Sequence, residues 1–185
     1  MLNEDYKDML RALCAERVKF LLVGAYALAA HGYPRATMDI DFWVMPSPEN
    51  ATAVIRALKR FGAPLQNLKE SDFQIEGVIF QIGVAPRRID IITAVDGLKF
   101  EDAFAHSTPV EIEGLEIHVP SIPDLIINKR ASGRTKDLAD VEMLEGTFDD
   151  LQTFKKRAQE PTVSFESALQ ELKRNEKTST DDRHE

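Results

Sequence analysis

Asp39 and Asp41 stand two residues apart at the head of a short apolar run that continues through Phe42, Trp43 and Val44. A run of that length and composition reads as a β-strand, and a strand turns alternate side chains to one face. Both carboxylates therefore point the same way. Two like charges held that close repel one another, and the arrangement is costly unless a cation sits between them. A third aspartate, Asp90, lies in a second apolar run, Arg88-Ile89-Asp90-Ile91-Ile92, and an upstream run, Leu21-Leu22-Val23, breaks at Gly24. Three strand-borne carboxylates beside a glycine turn point to divalent metal and phosphate chemistry.

The surrounding pattern sets the fold class. Tyr6, Met9, Leu10, Leu13 and Cys14 recur at helical spacing over residues 4–17. A strand over 19–23, a helix over 25–30 and a loop at 33–37 lead into the Asp39 strand. Ser47-Pro48 reads as an N-cap followed by proline at the first helical position, opening a helix to about Phe61. Residues 78–84 and 88–93 form one expected hairpin, and 110–112 with 115–119 a second, turning at Glu113-Gly114. A short helix is expected over 100–105. After Pro120 helices take over: Ser121 and Asp124 suggest a capping box for a helix over 122–132 ended by Gly133, and a further helix runs from Thr135 to Leu144 and stops at Gly146. The expectation is an α/β protein with a mixed sheet and C-terminal helices. Residues 1–120 would form the core, 121–146 a helical extension completing the site, and 147–185 a polar helical tail whose last dozen residues are disordered.

Composition narrows the function. The 185 residues carry a formal net charge of −8, which argues against a broad basic surface for nucleic acid. The single cysteine, Cys14, forms no internal disulfide and fits a reducing cytoplasm. No apolar stretch is long enough to cross a bilayer, and no signal peptide is evident, so no membrane partner is expected.

Three elements carry the candidate chemistry. Asp39 and Asp41 could hold Mg²⁺ or Mn²⁺ on nucleotide phosphates, and Asp90 could share a second ion and accept a proton from an attacking hydroxyl. Gly24-Ala25 would let the backbone turn tightly and offer N–H groups to phosphate oxygens. Lys129, Arg130, Arg134 and Lys136 crowd four cations into eight residues of an acidic chain, with Arg35 a fifth, and could neutralise a triphosphate. Each also has a plainer reading: Asp90 paired with Arg88 on an edge strand, Gly24 as punctuation, Arg134 paired with Asp137 on a solvated helix face. Trp43 is expected in the core on the strand face away from Asp41. His31, at a helix end beside Gly32, is a minor candidate for substrate contact, while His106, His118 and His184 lie in unrelated contexts, which makes a zinc site improbable.

The runs Val23-Gly24-Ala25-Tyr26-Ala27-Leu28, His31 to Thr37 and Asp39-Ile40-Asp41 resemble the polymerase-β-like nucleotidyltransferases. The resemblance is narrower with the minimal prokaryotic branch that includes abortive-infection, type IV toxin-like nucleotidyltransferases. Arg88-Ile89-Asp90-Ile91 matches the third acidic element. Lys129, then Arg134-Thr135-Lys136-Asp137-Leu138-Ala139-Asp140, resembles that branch's helical motif. Ala25 stands where the family has a second glycine or a serine. The resemblance implies Asp39 and Asp41 as metal ligands, Asp90 as ligand and base, Gly24 and Ala25 against the phosphates, and Lys129 on the nucleotide. Asp137 would either contact substrate or orient Lys129. It implies an NTP substrate, an acceptor that is an RNA end or a protein, and a toxin paired with an antitoxin. Competing readings are transfer to a small cationic aminoglycoside, a metal-dependent phosphohydrolase, and a degenerate domain that only binds nucleotide.

Overall fold

The computed structural model describes residues 2–146. The tail readings for 147–185 lie outside the described residues. Helix α1, Glu4–Ala15, starts where the Asn3 side chain accepts a hydrogen bond from the Tyr6 N–H at 2.9 Å, and acidic Glu4 and Asp5 favour its positive end. It buries Tyr6, Met9, Leu10 and Leu13, the positions its periodicity marks. Strand β1, Phe20–Val23, follows, then the seven-residue helix α2, Gly24–Ala30, and strand β2, Asp39–Val44. Helix α3, Pro48–Phe61, carries the expected Ser47 cap and Pro48, and ends on Gly62 in the left-handed region at φ 87°. A 3-10 helix, Glu70–Gln74, was not foreseen; it packs against α3 and buries Phe73.

Strands β3, Ile79–Ile82, and β4, Arg88–Ile92, form the first hairpin. The four-stranded sheet has the order β1-β2-β4-β3, with β2 and β4 parallel and the two outer pairings antiparallel. β4 is therefore interior, not the edge strand of the plainer reading. Helix α4, Phe100–Ala105, leads to the second hairpin, β5, Thr108–Ile112, and β6, Leu115–Val119. Its turn places Glu113 and Gly114 at φ 53° and 75°, the conformation a tight two-residue hairpin loop needs. Helix α5, Ile122–Ser132, ends at Gly133 as read. Only half of its capping box forms. Ser121 Oγ accepts from the Asp124 N–H at 3.3 Å, while the Asp124 carboxylate accepts a hydrogen bond from the Ser121 hydroxyl at 2.7 Å rather than reaching back to the backbone. Helix α6 covers residues 135–146 and includes Gly146, the last described residue.

The two sheet faces divide by period. Ile40, Phe42, Val44, Leu22, Ile89 and Ile91 pack against α1 and α3 in the main core. Leu21, Val23 and Trp43 face the other way, against Phe100 and Ala103 of α4. Trp43 is buried as expected but on the same face as Asp39 and Asp41. It stands two residues from Asp41, and the period of two decides the face. Asn50 ties the sheet edge to α3. Its Oδ1 accepts from the Lys19 N–H at 2.7 Å, and its Nδ2 donates to the Lys19 and Met45 carbonyls at 3.0 and 2.9 Å. Residues 2–145 fall in one compact unit, so the change of character at Pro120 lies inside it.

Candidate active site

Parallel pairing of β2 with β4 puts Asp41 opposite Asp90 and Asp39 opposite Arg88. Asp39, Asp41 and Asp90 each offer a carboxylate oxygen within 4.8 Å of the others. Forty-nine residues separate Asp41 from Asp90 in sequence, and the central strand pairing alone makes them neighbours. The three line a cleft of 460 Å³. Their environments differ. Asp39 Oδ1 accepts from the Thr37 hydroxyl at 2.6 Å and Oδ2 from Arg88 Nη2 at 2.5 Å. Asp90, only 5% exposed, accepts from Arg88 Nε at 2.8 and 3.2 Å and from Gln81 Nε2 at 3.3 Å. The Asp41 carboxylate has no hydrogen-bond partner among the described residues. Burial first, then the charges of Asp39 and Asp90, push its pKa up to about 6. An all-oxygen, all-carboxylate donor set suits a hard divalent ion such as Mg²⁺ or Mn²⁺ and lacks the nitrogen and sulfur ligands usual at zinc or copper sites.

Gly24 takes φ 66°, and a Cβ built on it would lie 2.2 Å from Asp41 Oδ2. The glycine is needed both for the turn out of β1 and for the space the Asp41 carboxylate fills. This is a more specific demand than the phosphate cradle expected from sequence. Ala25 also lines the cleft, and α2 behind it is short.

The opposite wall comes from α5 and α6. Lys129 lines the cleft but is 3% exposed, and its ammonium lies 2.7 Å from Asp137 Oδ1 and 3.0 Å from Asp140 Oδ2. Asp137 is fully buried and also accepts from Arg134 Nε at 2.5 Å. Burial alone would raise its pKa. The hydrogen bonds from Lys129 and Arg134 outweigh that and hold it down at about 2. Asp137 thus stands behind Lys129 and does not itself line the cleft. Arg35, from the loop before β2, reaches across to Asp140 at 3.6 Å. Arg35, Arg134 and Lys136 line the cleft, whereas Arg130 turns away and pairs with Glu145.

The plainer pairings of Arg88 with Asp90 and of Arg134 with Asp137 both occur. They coexist with the cleft rather than replacing it. Sequence reasoning missed Thr37 and Gln81, which bond the triad, and gave Arg88 no contact with Asp39. The alternation on β4 holds the only signal for Arg88: residues 88 and 90 share a face as 39 and 41 do. His31 donates from Nε2 to the Pro120 carbonyl at 2.8 Å, linking α2 to the strand that precedes α5.

A family model described as a nucleotidyltransferase of unknown function (DUF6036) matches residues 2–180. The crystal structure of a Thermotoga maritima protein, proposed to be a nucleotidyltransferase, is similar in fold. The TM-score is 0.50 at 16% sequence identity, over 81% of this chain and 96% of that one. No curated protein matches the chain.

Proposed function

The chain belongs to that family of nucleotidyltransferases of unknown function, and from this premise we propose that it is a Mg²⁺- or Mn²⁺-dependent enzyme moving a nucleoside monophosphate from an NTP to an acceptor hydroxyl. The observation that carries the reading is the convergence of Asp39, Asp41 and Asp90 within 4.8 Å, in a cleft otherwise rimmed by Arg35, Lys129, Arg134 and Lys136. Asp39 and Asp41 would hold the ion, with Asp90 sharing a second. A bound divalent ion supplies charge neutralisation and Lewis acidity at the transferring phosphorus. The cationic wall attracts the triphosphate and orients its leaving pyrophosphate. Asp90 accepts the proton of the acceptor hydroxyl as oxygen attacks the α-phosphorus and the bond to pyrophosphate breaks. Gly24 and Ala25 border the phosphates on the β1 side, and Asp137 orients Lys129.

The acceptor we favour is macromolecular, an RNA end or a protein hydroxyl in the cytoplasm. Modification of such a target would arrest growth and make the enzyme the toxin of a pair with an antitoxin. Incubation with each labelled NTP and total RNA or cell lysate tests this. We expect one NTP to label a discrete species in the presence of Mg²⁺, and Asp41→Asn to abolish the label. Undiminished transfer by both Asp39→Asn and Asp41→Asn would overturn it.

A further inference from the structure

Arg88 sits inside the acidic triad rather than beside it. Its Nη2 donates to Asp39 Oδ2 at 2.5 Å, and its Nε donates to Asp90 Oδ1 at 2.8 Å and Oδ2 at 3.2 Å. The register explains this reach. Arg88 lies directly opposite Asp39 on the neighbouring parallel strand and one alternation before Asp90 on its own. The guanidinium thereby takes oxygens of two of the three carboxylates that a divalent ion needs. An ion bonded at about 2.1 Å to the same oxygens would lie within about 5 Å of the guanidinium nitrogens, and the two cations repel. Occupancy by one disfavours occupancy by the other. Arg88 also has somewhere to go: its side chain is 32% exposed and borders the open cleft, while the Asp90 side chain behind it is buried.

We propose that Arg88 is a displaceable internal counter-ion: it holds Asp39 and Asp90 together in the metal-free enzyme, competes with the divalent ion for them, and swings into the cleft when the ion loads. The proposal rests on the metal-dependent reading above. Asp39 Oδ1 is kept by Thr37, and Asp90 by Gln81 and its burial, so both carboxylates stay aimed after the arginine leaves. Asp41, which Arg88 does not touch, is the ligand open to the arriving ion.

The test measures Mn²⁺ binding to the full chain by the electron paramagnetic resonance signal of free Mn²⁺, alongside thermal unfolding in EDTA. Arg88→Met should bind Mn²⁺ at least about tenfold more tightly than wild type, since it removes the competitor. It should also melt lower in EDTA, and saturating Mn²⁺ should close that gap. Arg88→Lys keeps a cation and should bind within about threefold of wild type; it serves as the folded comparison if the Met variant is too unstable without metal. Lys136→Met removes a charge from the same cleft outside the triad and should change affinity by less than about threefold. Equal or weaker Mn²⁺ binding by Arg88→Met overturns the proposal while leaving the metal reading standing. An equal gain from Lys136→Met also overturns it, because the effect would then be the diffuse field of the cleft. Failure of wild type and Arg88→Met alike to bind Mn²⁺ overturns the metal reading and the proposal with it.

Discussion

Three aspartates of one triad are three different groups. Asp39 is bonded on both oxygens and Asp90 is buried under Arg88 and Gln81, but Asp41 faces its neighbours without a donor. Relief of repulsion on neutralising a carboxylate should therefore be found at Asp41, not equally at either member of the Asp39/Asp41 pair as the spacing alone suggested. Asp41 has a raised folded-state pKa of about 6. Its ionisation is thus disfavoured by folding, and the metal-free protein loses stability as pH rises from about 4 through 6. The loss is on the order of 2 kcal/mol. Asp41→Asn should melt several degrees above wild type in EDTA at pH 7.5, and the difference should vanish near pH 4. A lower melting temperature for Asp41→Asn at pH 7.5 would show that the carboxylate has a structural partner. Gly24→Ala tests the other side of the contact. The added methyl clashes with Asp41 Oδ2 and demands a left-handed alanine, so we expect a loss of about 1–2 kcal/mol. Mn²⁺ affinity should fall by at least about tenfold. Wild-type Mn²⁺ binding by this variant would mean that Asp41 is not a ligand.

At the scale of elements, the cationic wall is an ion-pair lattice that joins α5, α6 and the loop before β2. Lys129 is buried with Asp137 and Asp140 as its counter-charges, and Arg35 carries the link to the loop that delivers Asp39. Removing one partner leaves a buried charge short of compensation. Asp137→Ala should cost about 3 kcal/mol, read by chemical denaturation at pH 7. Asp137 has a depressed folded-state pKa of about 2, so its contribution is present above about pH 4 and is lost as pH falls toward 2. The destabilisation by Asp137→Ala should accordingly shrink across that window. A constant difference down to pH 2 would place its cause in packing rather than charge. Lys129→Ala should weaken NTP binding several-fold or more, whereas Arg130→Ala, paired on the outer surface with Glu145, should change it little. Similar losses from both would mean that no single lysine reads the nucleotide.

For the whole molecule, charge distribution outweighs charge total. The chain carries −8, yet Arg35, Arg88, Lys129, Arg134 and Lys136 all border one cleft. If the acceptor is RNA, cations gathered at one cleft would engage it at a point, not along a surface. RNA binding, measured as log affinity against log salt, should show a slope no steeper than about −4. A slope near about −8 would require a basic surface elsewhere. Among the described residues no helix is long and apolar enough to cross a membrane.

Local signals in the sequence were strong where one residue type does one physical job. Ser47-Pro48 and Gly62 bound α3 because caps are satisfied within a turn, and the Asp39/Asp41 alternation reports its shared face because strand period is a property of the backbone alone. The same alternation, applied to Trp43, places it beside the aspartates. The nucleotidyltransferase resemblance was legible because its motifs are contiguous: a strand end, a glycine, then two spaced carboxylates. What only the tertiary structure decided are the relations between segments far apart in sequence. Parallel pairing of β2 with β4 brings Asp90 to Asp41 and lays Arg88 across to Asp39. The approach of α6 to α5 turns Lys129 from a surface cation into a buried one held by two carboxylates. The space that Gly24 leaves is set by a carboxylate seventeen positions away. Periodicity tells which way a side chain points, but the charge it meets there depends on which strand or helix the fold packs against it.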